Sequence, residues 1–114
     1  NIEFVVSEAN GSRSREERVL ETGQAAILAA GTLLKAGTGT KLTEWIGTTT
    51  AVTAILAYET DAVSADAKCT VIIRDAEVNK SELVYEPSGT PTGGEKIIAD
   101  ADLTALGVIV RTAI

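Results

Sequence analysis

The chain has 114 residues, a formal net charge of −6 and 45% apolar residues, the size and composition of a single domain able to bury roughly 65% of its unfolded surface. The acidic balance argues against nucleic acid, which needs a Lys/Arg surface that displaces counterions, and against an anionic membrane. No apolar stretch approaches the ~20 residues of a membrane span, and with one Phe, one Trp and two Tyr the core must be built from Ala, Val, Leu and Ile.

Ile2–Val6 reads as an extended segment with Ile2, Phe4 and Val6 on one face. It has no adjacent hairpin partner, so it pairs far along its own chain or with another chain. Ser7–Ser14, with Asn10-Gly11, reads as a turn or flexible link. Arg13–Glu21 mixes both charge signs and reads as a solvated connector, with a salt-bridged partner contact as the sharper alternative. A secretory signal would need an apolar segment where Asn10–Glu21 is charged, so none is expected there. The chain opens on Asn1 rather than Met, which leaves room for preceding residues.

From Gly23 the pattern is short strands and turns. Ala25–Leu28 and Thr32–Lys35 flank Ala29-Ala-Gly31, and Ala36-Gly-Thr-Gly39 is a hairpin turn leading to Lys41–Ile46. Gly47–Thr50 is a second turn, Val52–Tyr58 a strand and Asp61–Asp66 a polar connection. Turn signals about 8–12 residues apart suggest a sheet meander or small barrel. Val71–Ile73 reads as a buried strand, and Asn79-Lys-Ser-Glu82 has the spacing of a capping box. Glu86–Glu95 holds both prolines and reads as a surface loop. Asp100–Gly107 reads as a short helix capped by Asp100, with Asp102 favouring its positive end and Gly107 as its left-handed stop. Val108–Val110 closes the domain as a strand.

Catalytic chemistry is hard to place. The chain has no histidine, and its carboxylates sit in polar stretches where solvation is the default. Cys69 is a lone cysteine, which rules out an internal disulfide and suits a small buried strand residue. No cluster has metal-ligand spacing, and neither Gly37/Gly39 nor Gly93/Gly94 lies in a phosphate-loop context. No enzyme, catalytic residue, cofactor or metal is expected, and no small-molecule substrate.

Five segments in order carry a family resemblance. Val71-Ile-Ile-Arg-Asp-Ala-Glu-Val-Asn-Lys-Ser-Glu-Leu83 resembles the most recognisable stretch of the phage head decoration proteins, the group that includes the lambda capsid decoration protein. Gly23-Gln24 with Ala30-Gly-Thr-Leu33, Leu42 with Trp45-Ile-Gly-Thr-Thr49, Ala54-Ile-Leu-Ala57 and Leu103–Arg111 are similar to four further pieces of that family. Two positions depart from it: Ala54 and Asp75 stand where members often carry Gly.

The resemblance implies an α+β, β-dominated domain: a small sheet or barrel-like body of short strands with one or two short helices and an extended N-terminal arm. It divides as a flexible arm and connector over 1–22 and the decoration domain over 23–114. It implies a homotrimer on the outer surface of an expanded phage head, assembled in the host cytoplasm, that binds the major capsid protein at three-fold positions and clamps capsomers against DNA pressure. No motif covers Ile2, Glu3, Phe4, Val5 and Val6, yet their alternation and polar tether make them the candidate capsid-binding residues. Such an arm spans about 17 Å. Four ladder hydrogen bonds at ~1 kcal/mol and roughly 3–5 kcal/mol from burying Ile2 and Phe4 about balance an ordering cost of about 5–10 kcal/mol. Three arms on one trimer tip that balance through effective concentration. Small-residue strands such as Thr49–Ala57 are candidates for a head-to-tail trimer contact. Two other readings stay open: a secreted or surface adhesive β-domain, and a cofactor-carrier barrel, which would need Lys35 at a turn tip rather than inside a strand pattern.

Overall fold

The computed structural model describes residues 4–8, 14–46, 51–85 and 92–111. In chain order the strands are β1 (Val5–Glu8), β2 (Arg15–Leu20), β3 (Leu33–Ala36), β4 (Leu42–Glu44), β5 (Val52–Leu56), β6 (Ala67–Ile72), β7 (Ala76–Asn79) and β8 (Val108–Arg111). A 3₁₀ turn, Lys80–Glu82, follows β7, and helix α1, Gly93–Ala105, precedes β8. Five strands close a barrel in the order β2-β4-β3-β5-β6, and β1-β7-β8 form a separate three-stranded sheet. The α+β, β-dominated reading is the observed architecture.

Alternation along the barrel strands generates two cores. Leu20, Leu34, Leu42, Ala54, Leu56, Cys69 and Val71 form the cluster on one face of the wall. Leu33, Val52, Ile55 and Ile72 point the other way and join Trp45, Phe4, Val78, Ala99, Leu103 and Val108 in the layer beneath the sheet and helix. Ladder register keeps the two sets apart: Leu33 faces Ile55 while Leu34 faces Ala54, and Ile55 faces Ile72 while Leu56 faces Val71. Strands buried on both faces explain why β5 reads as a continuous apolar run. A fully buried Leu or Ile contributes about 1.5–3 kcal/mol, so these strands hold both layers at once. For the same reason the expected trimer contact on Thr49–Ala57 is not available as drawn: Val52, Ala54, Ile55, Leu56 and Ala57 are each at most 2% exposed within the one chain, and residues 49–50 lie outside the described residues.

The segment 71–85 carries the chain from barrel to sheet. Its turn places Asp75 at φ +50, the one non-glycine residue with positive φ among those described, at the position where members of the resembling family often carry Gly. The Asn79 side chain does cap the next turn, but it accepts from the Ser81 N–H at 3.2 Å, one residue earlier than a capping box requires. Gly31 ties three recognisable segments together. Its N–H donates to Leu56 O at 2.8 Å and its carbonyl accepts from Val84 N at 2.9 Å.

Further sequence expectations are corrected. Residues 15–20 are not a solvated connector: β2 pairs with β6 from Arg15↔Ile72 to Leu20↔Ala67. Mixed charge does not oppose a strand whose ladder satisfies the backbone and whose charges meet at the rim, and Glu16 receives both Arg18, at 3.3 Å, and Arg74, at 3.4 Å. The helix begins at Gly93, inside the expected loop, rather than at Asp100. Thr92 and Glu95 form a reciprocal capping box, and burial of Ala99 and Leu103 outweighs the ~1 kcal/mol propensity cost of each N-terminal glycine. Asp100 is therefore mid-helix rather than a cap, and Asp102 accepts from the first amide of β5, Val52 N, at 3.1 Å. Ala25–Leu28 is not a strand; Leu28 makes a single bridge to Thr60. The helix stop is as expected, with Gly107 at φ +86.

Candidate functional site

The root of the N-terminal arm is folded into the sheet. β1 runs antiparallel to β7, with Val5 opposite Val78 and Ser7 opposite Glu77, and the register shifts between them. Val6 therefore sits at a bulge, a place where one residue is left out of the ladder and re-aimed. Of the expected capsid-binding residues, Ile2 and Glu3 lie outside the described residues. Phe4 is 2% exposed in the core, Val5 is half-buried against it, and Val6 is 44% exposed. The segment does have the distant intrachain partner that the sequence left open. That partner was not legible because β7 lies some seventy residues along the chain and its own alternation is only four residues long.

β1 is an edge of its sheet. A sheet edge presents backbone donors and acceptors to whatever approaches it. On the outward face of that sheet, Ser7, Glu77 and Ile109 line up across the three strands; Ile109 is 50% exposed and the Arg111 guanidinium reaches across to Glu77. Helix α1 exposes Ile97 and Ile98 nearby in sequence. Sequence reasoning missed these three isoleucines because exposure within an apolar helix or strand depends on which layer covers it.

Several titratable groups of the described residues pair with one another within the fold. Tyr85 donates to Asp100 Oδ1 at 2.5 Å, and Lys80 Nζ pairs with Asp100 Oδ2 at 2.9 Å. Burial first, then the Asp100 hydrogen bond and charge, pushes the Tyr85 hydroxyl far above its ordinary range. Burial likewise pushes the Cys69 thiol up, the direction of an inert structural thiol. Among the described residues no group of three or more His, Cys, Asp or Glu side chains is placed to hold a metal ion, and no helix is long and apolar enough to cross a membrane. Lys35 lies within β3, away from the turn tip that a carrier lysine needs.

The described residues form a five-stranded barrel with an appended three-stranded sheet that has β1 at one edge. The sequence pattern of the bacteriophage lambda head decoration protein D family matches residues 1–108, and the chain belongs to that family. It is accordingly a capsid decoration protein of a phage head, a structural component of the virion capsid. No curated protein sequence matches the chain.

Proposed function

We propose that the protein binds as a homotrimer to the outer surface of an expanded phage head at three-fold positions, where it stabilises the shell against internal DNA pressure without catalysis. Its partner in this reading is the major capsid protein, gripped by the arm through Ile2, Glu3, Val5 and Val6 while Phe4 is held in the core, and the trimer uses no nucleic acid, membrane, metal or small molecule. Family membership over residues 1–108 is the observation that carries it, and the position of β1 at a sheet edge supports the arm.

The fold redistributes the roles within the arm. Phe4 anchors its root internally, so Ile2, Glu3 and the free edge of Val5–Glu8 are left to pair with a capsid strand. The ordering cost falls accordingly. At about 1–2 kcal/mol per residue, the residues already held against β7 are ordered before binding. Ladder bonds at ~1 kcal/mol each then yield a net gain sooner, and three arms on one trimer multiply it.

The test is co-sedimentation with expanded empty capsids of the cognate phage. A chain lacking residues 1–3 should stay folded and lose occupancy, whereas removing residues 1–7 would also strip Phe4 from the core. Undiminished occupancy without residues 1–3 would sink the arm model, and wild-type protein that stays in the supernatant would sink decoration.

A further inference from the structure

Asp100 stands in the middle of α1, one residue beyond the fully buried Ala99, and takes two partners from one short stretch of chain. Lys80 Nζ reaches Asp100 Oδ2 at 2.9 Å, and the Tyr85 hydroxyl donates to Asp100 Oδ1 at 2.5 Å. One carboxylate thus spans both ends of residues 80–85, the stretch that leaves β7 through the 3₁₀ turn. The ion pair is mostly sheltered, with side-chain exposures of 31% for Lys80 and 23% for Asp100. The Lys80 and Lys96 ammoniums also stand 5.9 and 5.5 Å from the centre of the Tyr85 ring, close enough for a cation to be drawn to an aromatic face.

The two ends of that stretch are held differently. At the far end Val84 is tied to the barrel by main chain, donating to Gly31 O at 2.9 Å and accepting from Leu33 N at 3.1 Å. At the near end Asn79 belongs to the sheet: its N–H donates to Phe4 O at 2.7 Å, it stands opposite Arg111 in the ladder with β8, and its side chain caps Ser81. Among the described residues, the polar tie from this end to the helix is the Lys80–Asp100 pair. Phe4 lies in the same buried cluster as Val78, Tyr85 and Ala99, so the root of the arm, the end of β7 and the helix beside Asp100 share one packed joint. A charge-assisted bond fixes such a joint more firmly than a neutral one, and a close-packed interior transmits a shift rather than absorbing it.

We infer that Asp100 is a positioning residue for the N-terminal arm: through Lys80 it holds the Asn79 backbone, and with it the Phe4 carbonyl at the arm's root. The consequence on the capsid rests on the decoration reading, whereas the coupling itself is a property of the free chain. An ordinary surface ion pair would instead add a little stability to the whole domain and leave the arm root as it was.

Amide hydrogen exchange on the full chain separates the two. In Lys80→Met, and in Asp100→Asn, which keeps an oxygen for Tyr85, the Asn79 amide should exchange about fivefold faster than in wild type. The Ala57 amide, bonded to Thr70 O in the barrel at 2.9 Å, should keep its rate. Lys80→Arg, which retains the charge and the reach, should restore protection at Asn79. An unchanged Asn79 rate, an equal rise at Asn79 and Ala57, or no rescue by arginine overturns the positioning role. On expanded empty capsids Lys80→Met should lose occupancy and Lys80→Arg should keep it; full occupancy by Lys80→Met overturns the link to capsid gripping. Wild type that stays in the supernatant removes the decoration reading, and the exchange rates then decide the coupling alone.

Discussion

The Asn79 amide donates to the Phe4 carbonyl at 2.7 Å, joining the last residue of β7 to the residue that roots the N-terminal arm. That bond and the 2% exposure of Phe4 make this aromatic ring part of the scaffold. Phe4→Ala should cost about 3–5 kcal/mol, a large share of the 5–15 kcal/mol typical of a domain. Val6→Ser, at the exposed bulge, should change stability by less than about 0.5 kcal/mol while lowering capsid occupancy. Urea denaturation of both variants reads the first contrast and co-sedimentation the second. Similar denaturation midpoints would remove Phe4 from the core.

Much of the fold was legible because local chemistry and tertiary role agree. Gly39 in the β3–β4 turn, Gly107 after the helix, and the apolar strands around Val52 and Val71 each carry their signal within a few residues. Three of the resembling stretches meet at Gly31: its backbone bonds reach Leu56 and Val84, the residue after Leu83. What the sequence hid is non-local. The charged β2 becomes a strand chiefly through its ladder with β6, some fifty residues away. The helix start at Thr92 lay behind two glycines. The alanine-rich stretch from Ala25 to Ala30 folds back through a single bridge from Leu28 to Thr60, which no periodicity encodes.

Gly31 offers the sharpest backbone test. It has φ +92, and a Cβ there would stand 2.4 Å from the Glu82 carbonyl oxygen. Both the left-handed backbone and the collision with main chain oppose any side chain. Gly31→Ala should therefore cost more than the ~1–2 kcal/mol of left-handed strain alone. Gly23→Ala is the control, since its φ is +88 but nothing lies within 4 Å of the added carbon. Equal thermal shifts for the two variants would mean that the segments do not meet as described.

Asp75, at φ +50, tests the departure from the family pattern. Aspartate tolerates the left-handed region better than most residues, and β-branched ones tolerate it worst. Asp75→Val should lower stability by about 1–2 kcal/mol, and Asp75→Gly should be tolerated better than Asp75→Val. The reverse ranking in calorimetry would show that the side chain, rather than the backbone conformation, dominates at this turn.

The pH dependence follows from two places in the fold, with opposite signs. Near the barrel seam, the Lys41 hydrogen bond and the Thr22 amide hold the Asp66 carboxyl below its ordinary value of 3.8. The native state thus releases this proton more readily than the unfolded chain, so the contribution is present above pH 3.8 and is lost as pH falls through the lowered native value. Asp66→Asn should flatten the acid limb of the stability curve, though only slightly for so exposed a pair. Tyr85 acts at the other end. Its hydroxyl is raised from 10.0, so the native state keeps a proton that the unfolded chain gives up. Its contribution is complete below pH 10 and erodes as pH climbs toward the native value. In a Tyr58→Phe background, phenolate absorbance should therefore rise together with the loss of far-ultraviolet dichroism. A phenolate signal that appears near pH 10 while the fold is intact would contradict the buried Tyr85–Asp100 hydrogen bond.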